Sequence, residues 1–253
     1  MLEMYSWNHL IYVSGLPIII ASLYFMFKNK PEKFKYYFLF ILTVLAWVIH
    51  FSRYWLEPNL KYYNLFFTDL CGFSTMMYPF FFLSKNKILK DYMYYLGAVF
   101  AFLSLIYPNN IDGNPMLEYN SIRFFFAHVI LVTVPLLLIL WKMHTPNIKH
   151  LGWMFLFLIA AAIYNMALSA FFVEVGLTHT LINYMGIWGN TDDAFKYFLL
   201  FAPWLTYTKT VGDVVMTVPI PFFYMIPGAL IIYMPTWALM SLPFIKRRKK
   251  LSF

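Results

Sequence analysis

Apolar residues run in long blocks along this chain, and short polar joints separate them. A block of roughly 20 apolar residues is long enough to cross the hydrocarbon core of a bilayer as a helix. Seven blocks are legible, at about 10–27, 36–56, 65–83, 92–107, 124–141, 151–173 and 214–244. The fourth is short. The last is long and carries Pro219, Pro221, Pro227, Pro235 and Pro243, so a kinked or broken helix is expected there. The longest joint, about 174–213, holds Asn183, Tyr184, the acids Asp192 and Asp193, and an apolar run from Ala194 to Tyr207. That run is too short to span and should lie in the interface or re-enter the membrane. The pattern predicts an all-α fold: a polytopic membrane helical bundle of about seven transmembrane helices, with 1–253 forming one integral membrane domain. The opening residues MLEMYSWNHL hold no basic run and no small-residue cleavage site, so no cleaved signal peptide is expected.

Composition agrees. Hydrophobic residues make up 62% of the 253 and charged residues 12%, far from the balance of a soluble globular domain. A single cysteine excludes a disulfide-stapled scaffold. The net charge of +8 would suggest nucleic acid if the cations were mixed along the chain. They are not. Lys28, Lys30, Lys33 and Lys35 share one side with Lys85, Lys87 and Lys90, with Lys142 and Lys149, and with the basic tail 246–250. Fourteen of the nineteen Lys and Arg thus fall on the side reached after odd-numbered spans. The positive-inside rule puts that side in the cytoplasm, the N-terminus outside and the C-terminus inside. The charge therefore speaks for topology, and no nucleic-acid partner is expected. Abundant Lys, Asn, Phe and Tyr with scarce Cys suit an AT-rich bacterial genome, which makes a bacterial plasma membrane the expected location of this multi-pass chain.

Ionisable groups at membrane depth are costly, and their default reading is functional. Span two holds His50 and Arg53, which share a helical face; span three holds Asp69 and Cys71; the start of span five holds Arg123 and His128. At a rise of about 1.5 Å per residue His50, Arg53, Asp69, Cys71 and His128 lie roughly 5–9 Å below the outer end of their spans, and Arg123 at the top of its own. Asp69 is expected to point inward, with Arg53 or Arg123 as its partner. Thr68, Cys71, Thr75 and Tyr78 form another stripe of span three. Asn165 lies inside span six; His9, His144, His150 and His179 fall at ends or in joints and are expected to be solvated. No GxxxxGK[ST], HExxH, CxxC or GxSxG occurs, and no Lys lies inside the last span to carry a retinal-type Schiff base. No helix carries a His pair at ligand spacing. No metal and no cofactor are implied.

The stretch TDLCGFSTMMYPFFFLSKNKILKDYMYYLGAVFAFLSLIYPNN, then IRFFFAHVILV, then INYMG, resembles the YwaF-type bacterial integral membrane family over roughly residues 60–190. That family shows a His-Leu-Cys element, a Lys-rich turn, an Arg-Phe-Phe…His element and an Asn-Tyr-Met element. Asp69 stands here in place of the family His, and Trp188 near the place of a second Cys. The family is distantly similar to eukaryotic membrane phospholipid acyltransferases and androgen-induced fatty-ester hydrolases. The resemblance implies His128 as base, with Cys71 or Thr68 as nucleophile and Asp69 or Arg123 to orient the imidazole or hold a head group. Arg53, His50, Asn183 and Tyr184 complete the substrate side of this reading, and membrane lipids are its expected partners. It implies a lipid acyltransferase or fatty-ester hydrolase with an outward-facing His-based site. A small-molecule transporter, or its membrane substrate-binding subunit, is the alternative. A third reading is a non-catalytic assembly or sensor protein whose polar cluster is structural.

Overall fold

The computed structural model describes residues 3–57, 60, 66–108, 111–182, 185, 187–188, 198, 200–211 and 214–249. Helix accounts for 71%, with a single two-stranded sheet among the described residues. Among the described residues six helices are long and apolar enough to cross a membrane, and a seventh apolar helix is shorter. The chain forms two compact units, Met1–Asn147 and Ile148–Phe253.

The first unit begins with α1, Trp7–Phe27, capped by Ser6, whose hydroxyl accepts from the His9 amide. This helix is apolar all round and buries only His9 and Leu16, leaving Ile11, Ile18, Phe25 and Met26 exposed. An apolar surface of that kind is stable only against lipid or protein. Helix α2, Glu32–Leu56, follows Pro31. Helix α3, Leu70–Leu83, has 14 residues. At about 1.5 Å per residue it measures roughly 21 Å, short of the hydrocarbon core. The third span was expected from 65. It starts at Leu70 because Asp69 is the N-cap, with an extended backbone and a side chain that accepts from Gly72 N.

The fourth span runs unbroken over Lys87–Ile106, five residues earlier than the apolar pattern suggested. Asn86 caps it, accepting from the Ile88 amide at 2.9 Å. It consists of α4 (Lys87–Tyr92), a π-helical segment (Met93–Ala98) and α5 (Val99–Ile106). All six residues of the π segment are buried. Helix α6, Tyr119–Leu140, completes the unit and is buried along most of its length.

One side chain joins three of these elements. Pro135 lies inside α6 and has no N–H, so the Leu131 carbonyl four residues earlier loses its helical donor. The Tyr78 hydroxyl of α3 supplies one, 3.0 Å from Leu131 O and 2.9 Å from Met93 O at the start of the π segment. Tyr78 is fully buried and packs on Gly97, where no side chain would fit. A buried carbonyl must find a donor somewhere, and in a membrane it cannot turn to water.

In the second unit, a short 3-10 turn Ile148–His150 leads into α7, Leu151–Glu174. Gly176, at φ 73°, ends α7 in a Schellman turn, with Leu177 N bonded to Phe172 O at 2.9 Å. The Ser169 hydroxyl of α7 then takes both backbone groups of Ile182, at 2.8 and 3.0 Å, which holds the departing chain against the helix.

The last predicted span, 214–244, is corrected. Its first residues form a strand: β1 (Thr206–Val211) pairs antiparallel with β2 (Val214–Pro219). TYTKTV and VVMTVP are rich in β-branched residues, and Gly212-Asp213 is a hairpin signal that the apolar count ignored. Helix α8, Met225–Lys249, begins after this hairpin and runs through Pro235 and Pro243 without interruption. The expected break therefore lies ahead of the helix. Phe198, Tyr224 and Ala229 form a small core there, covered by Phe155, Leu205, Met225 and Tyr233.

Candidate functional site

Asp69 was expected to face the interior and pair with Arg53 or Arg123. Instead its carboxylate accepts from the Gly72 amide at 2.6 Å, and the residue is exposed. The first amides of a helix lack internal acceptors, and a carboxylate at the cap satisfies one directly while meeting the positive end of the helix dipole. The carboxylate beside Arg53 is Glu57, at 2.8 Å and one turn along.

Cys71 follows in the first turn of α3, half-buried, with Sγ 3.5 Å from the Ser104 hydroxyl of α5. Its carbonyl accepts from the Thr75 hydroxyl at 2.8 Å. Thr68, just before the cap, is half-buried. His50 is buried in α2 and meets the Phe51 ring edge-on.

His128 is buried in α6. Its Nδ1 donates to the Phe124 carbonyl at 2.7 Å, and its ring lies 4.1 Å from that of Phe124. Nδ1 committed to a carbonyl fixes the tautomer with its lone pair on Nε2. Among the described residues Nε2 has no hydrogen-bond partner. No hydrogen bond joins His128 to Cys71, Thr68 or Asp69 among the described residues. The charge of Asp69 nonetheless acts on His128, on Arg123 and on Cys71, and Arg123 acts on His128. The end of α2, the start of α3 and the first turns of α6 thus bring these groups to one end of the first unit.

Arg123 stands apart in this group. The residue is half-buried, and its Nε is buried without a hydrogen-bond partner. It lines a cavity of about 180 Å³ together with Ile49, Ser52, Tyr119, Ile122 and Phe126. The Ser52 and Tyr119 hydroxyls are 2.7 Å apart there, and the Ser52 hydroxyl also lies 2.7 Å from the Ile49 carbonyl.

Two histidines expected to be solvated are buried. His9 is 1% exposed, its Nε2 donating to Leu105 O at 2.8 Å and its Nδ1 accepting from Tyr5 N at 3.0 Å. His144 donates from Nε2 to Asp91 Oδ1 at 2.6 Å, and Asp91 is 0% exposed. Asp91 also accepts from Asn147 N at 3.2 Å. The end of α6 builds this pair. Lys142 takes a left-handed conformation at φ 60°, and Met143 N returns to Leu138 O at 2.8 Å, a Schellman turn that sends the chain back toward α4. In the sequence Asp91 falls in the joint just ahead of the apolar block at 92–107. The signal that could have placed it is its position between Ile88-Leu89 and a long apolar run, a helical context rather than a joint.

Asn165, in the second unit, donates to Ala161 O at 3.0 Å and to the Met185 sulfur at 3.3 Å. Asn183 and Tyr184 lie outside the described residues. Among the described residues no three His, Cys, Asp or Glu side chains group as a metal site.

Membrane-length apolar helices, arranged in sequence around a few buried polar side chains, define a multi-pass helical membrane protein. The family follows from the sequence: residues 4–241 match the TMEM164 family, and the chain belongs to it. No curated protein and no solved structure matches it.

Proposed function

We propose that this protein is a membrane acyltransferase or fatty-ester hydrolase that uses His128 as general base on lipid esters. The observation that carries this reading is the state of His128. It is a buried imidazole with Nδ1 held by its own helix and Nε2 left for proton transfer, close to the start of α3 where Thr68, Asp69 and Cys71 stand. The YwaF-type resemblance of the same residues supports it.

The chemistry follows from what these groups can exchange. A weak nucleophile needs a base to take its proton as it attacks. His128 Nε2 takes the proton of the Cys71 thiol or the Thr68 hydroxyl while the sulfur or oxygen adds to the ester carbonyl. The carbon–oxygen bond to the leaving alcohol then breaks, and the imidazolium returns the proton to that oxygen. Water resolves the acyl-enzyme in a hydrolase, and a second lipid hydroxyl resolves it in a transferase. The reaction requires Nε2 to come within about 3 Å of the nucleophile, so Cys71 would exchange its contact with Ser104 for one with His128. His50, Arg53 and Arg123 belong to the substrate side.

The test is acyl exchange and ester hydrolysis by the purified chain in vesicles of mixed phospholipids. Removal of a general base costs about 10²–10⁴-fold in rate, so His128→Ala should fall by that factor. Cys71→Ala or Thr68→Val, one of the two, should fall at least as far, and accumulation of acyl-protein should vanish with it. Wild-type turnover in His128→Ala would remove the proposal.

The orientation belongs to the same reading: site outward in a bacterial plasma membrane, basic tail in the cytoplasm. Anionic inner-leaflet lipid holds such a tail by about 1 kcal/mol per basic side chain. With Cys71 replaced by Ser, an impermeant thiol reagent added to intact cells should label Leu117→Cys and spare Lys85→Cys. The opposite labelling would turn the site to the cytoplasm.

A further inference from the structure

We infer that Ser104 of α5 is a positioning residue for Cys71: the π segment aims its hydroxyl at the sulfur, and this contact holds the thiol at rest, apart from His128. This rests on the lipid-ester reading for what the released thiol does, while the hold itself needs no turnover.

Helical phase puts Ser104 where it is. Tyr92 and Ser104 lie in one unbroken helix, Lys87–Ile106. At about 100° per residue a regular α-helix would point these two side chains about 120° apart. The segment Met93–Ala98 is π-helical instead, and an i→i+5 turn takes up one residue more than an α turn. That residue removes about 100° and leaves the two side chains within about 20° of each other. Both therefore reach α3. Tyr92 Oη lies 3.0 Å from Ser74 Oγ, and Ser104 Oγ lies 3.5 Å from Cys71 Sγ. Cys71 and Ser74 are one turn apart and share a face of α3. Regular α-helix at 93–98 would keep one of these contacts and turn the other away. Tyr78, further along the same face of α3, donates to Met93 O and packs on Gly97. Helix α3 thus secures the turn that aims Ser104 back at it.

The Ser104 hydroxyl has no competing task. Hydroxyls inside a helix commonly return to the carbonyl four residues earlier. Thr75, Thr236 and Ser241 do so here. Among the described residues Ser104 has the Cys71 sulfur as its one hydrogen-bond partner. It shares a helical face with Ala101 and Leu105, both 0% exposed, so the hydroxyl is held toward the interior. With Sγ beside Ser104, no hydrogen bond joins Cys71 to His128. The thiol must turn to another staggered rotamer before its proton can pass to Nε2. A single neutral hydrogen bond is weak enough for an arriving ester to displace.

The test uses the full chain in phospholipid vesicles and follows alkylation by N-ethylmaleimide. The chain has one cysteine, so the label reads Cys71 alone. Ser104→Ala should react about threefold to tenfold faster than wild type, the factor expected for losing one such hydrogen bond. Ser104→Thr keeps the hydroxyl and should react at the wild-type rate. Leu103→Ala, at an exposed neighbouring position, should do so as well and guards against general loosening of α5. The infrared S–H stretch of the single cysteine is the second readout. It should shift in Ser104→Ala and keep its wild-type position in Ser104→Thr and His128→Ala. Alkylation unchanged or slowed in Ser104→Ala, an unshifted S–H band, or a Ser104→Thr protein that behaves like Ser104→Ala overturns the inference. The hold and the acyl chemistry fail separately. Faster alkylation of Ser104→Ala with no ester turnover by the wild type would sink the acyl chemistry alone. Turnover that depends on His128, with alkylation unchanged in Ser104→Ala, would sink the hold alone.

Discussion

Asp91→Ala is expected to destabilise the first unit by about 3–5 kcal/mol, the usual cost of removing one partner of a buried ion-paired or hydrogen-bonded couple. The carboxylate is 0% exposed and serves both His144 Nε2 and Asn147 N. Its loss leaves a buried imidazole N–H and a backbone N–H without an acceptor, and frees the chain that follows α6. His144→Ala should cost less, because Asp91 keeps the Asn147 amide. Asp91→Asn should also cost less, because an amide oxygen can still face His144. The measurement is thermal unfolding in detergent, with Glu32→Ala on the exposed first turn of α2 as reference. The double variant Asp91→Ala/His144→Ala should be more stable than the sum of the two singles requires, since the pair shares one interaction. Strict additivity, or an Asp91→Ala effect no larger than that of Glu32→Ala, would show that the couple does not hold the α6 exit to α4.

Gly97→Ala is expected to cost about 3 kcal/mol, the upper part of the range for overpacking a tight core. A methyl group at this position would collide with the Tyr78 ring and hydroxyl. That ring cannot swing aside freely. Its single hydroxyl proton is shared between the Leu131 carbonyl, left open by Pro135, and the Met93 carbonyl. Tyr78→Phe should cost about 1–3 kcal/mol, because two buried carbonyls lose a donor that lipid cannot replace. Combining the two changes should recover part of the loss, since Phe lacks the oxygen nearest the new methyl. The same unfolding assay checks this. A Gly97→Ala protein as stable as wild type would show that the π segment has room to shift, and that Tyr78 does not fix α3 against α6.

The helices and their order were legible in the sequence because apolar length is a local property. Twenty apolar residues in a row allow little else in a bilayer, and the blocks at 10–27, 36–56 and 151–173 match α1, α2 and α7 closely. The boundaries that failed did so where a few polar residues changed the meaning of apolar ones. Asp69 was counted as part of a span, yet a short carboxylate before Gly72 is a helix cap. Lys87 to Asp91 were counted as a joint, yet they form the first turns of a helix. The β-branched residues of 206–219 were counted for hydrophobicity alone, although their side chains favour the extended backbone of a hairpin.

The candidate site was legible as a set of residues and not as a set of contacts. Arg53, Asp69, Cys71, Arg123 and His128 stood out because charge and hydrogen-bonding capacity are costly in an apolar block wherever the block ends up. What each side chain touches depends on neighbours far away in sequence. Asp69 closes on its own helix, and Arg53 on Glu57, because a partner three or four residues away needs no ordering of a second helix. Cys71 meets Ser104 and Tyr78 meets Leu131 only once α3, α5 and α6 have packed. Residue order alone makes the chain a membrane-spanning helical protein and picks out the polar residues it must accommodate. That Asp91 holds His144, that Tyr78 repairs the gap left by Pro135, and that Arg123 comes to lie beside Ser52 and Tyr119 emerged only from helix packing. Hydrophobic length acts residue by residue along the chain, whereas a buried polar atom takes its partner from whichever helix packing brings within about 3 Å.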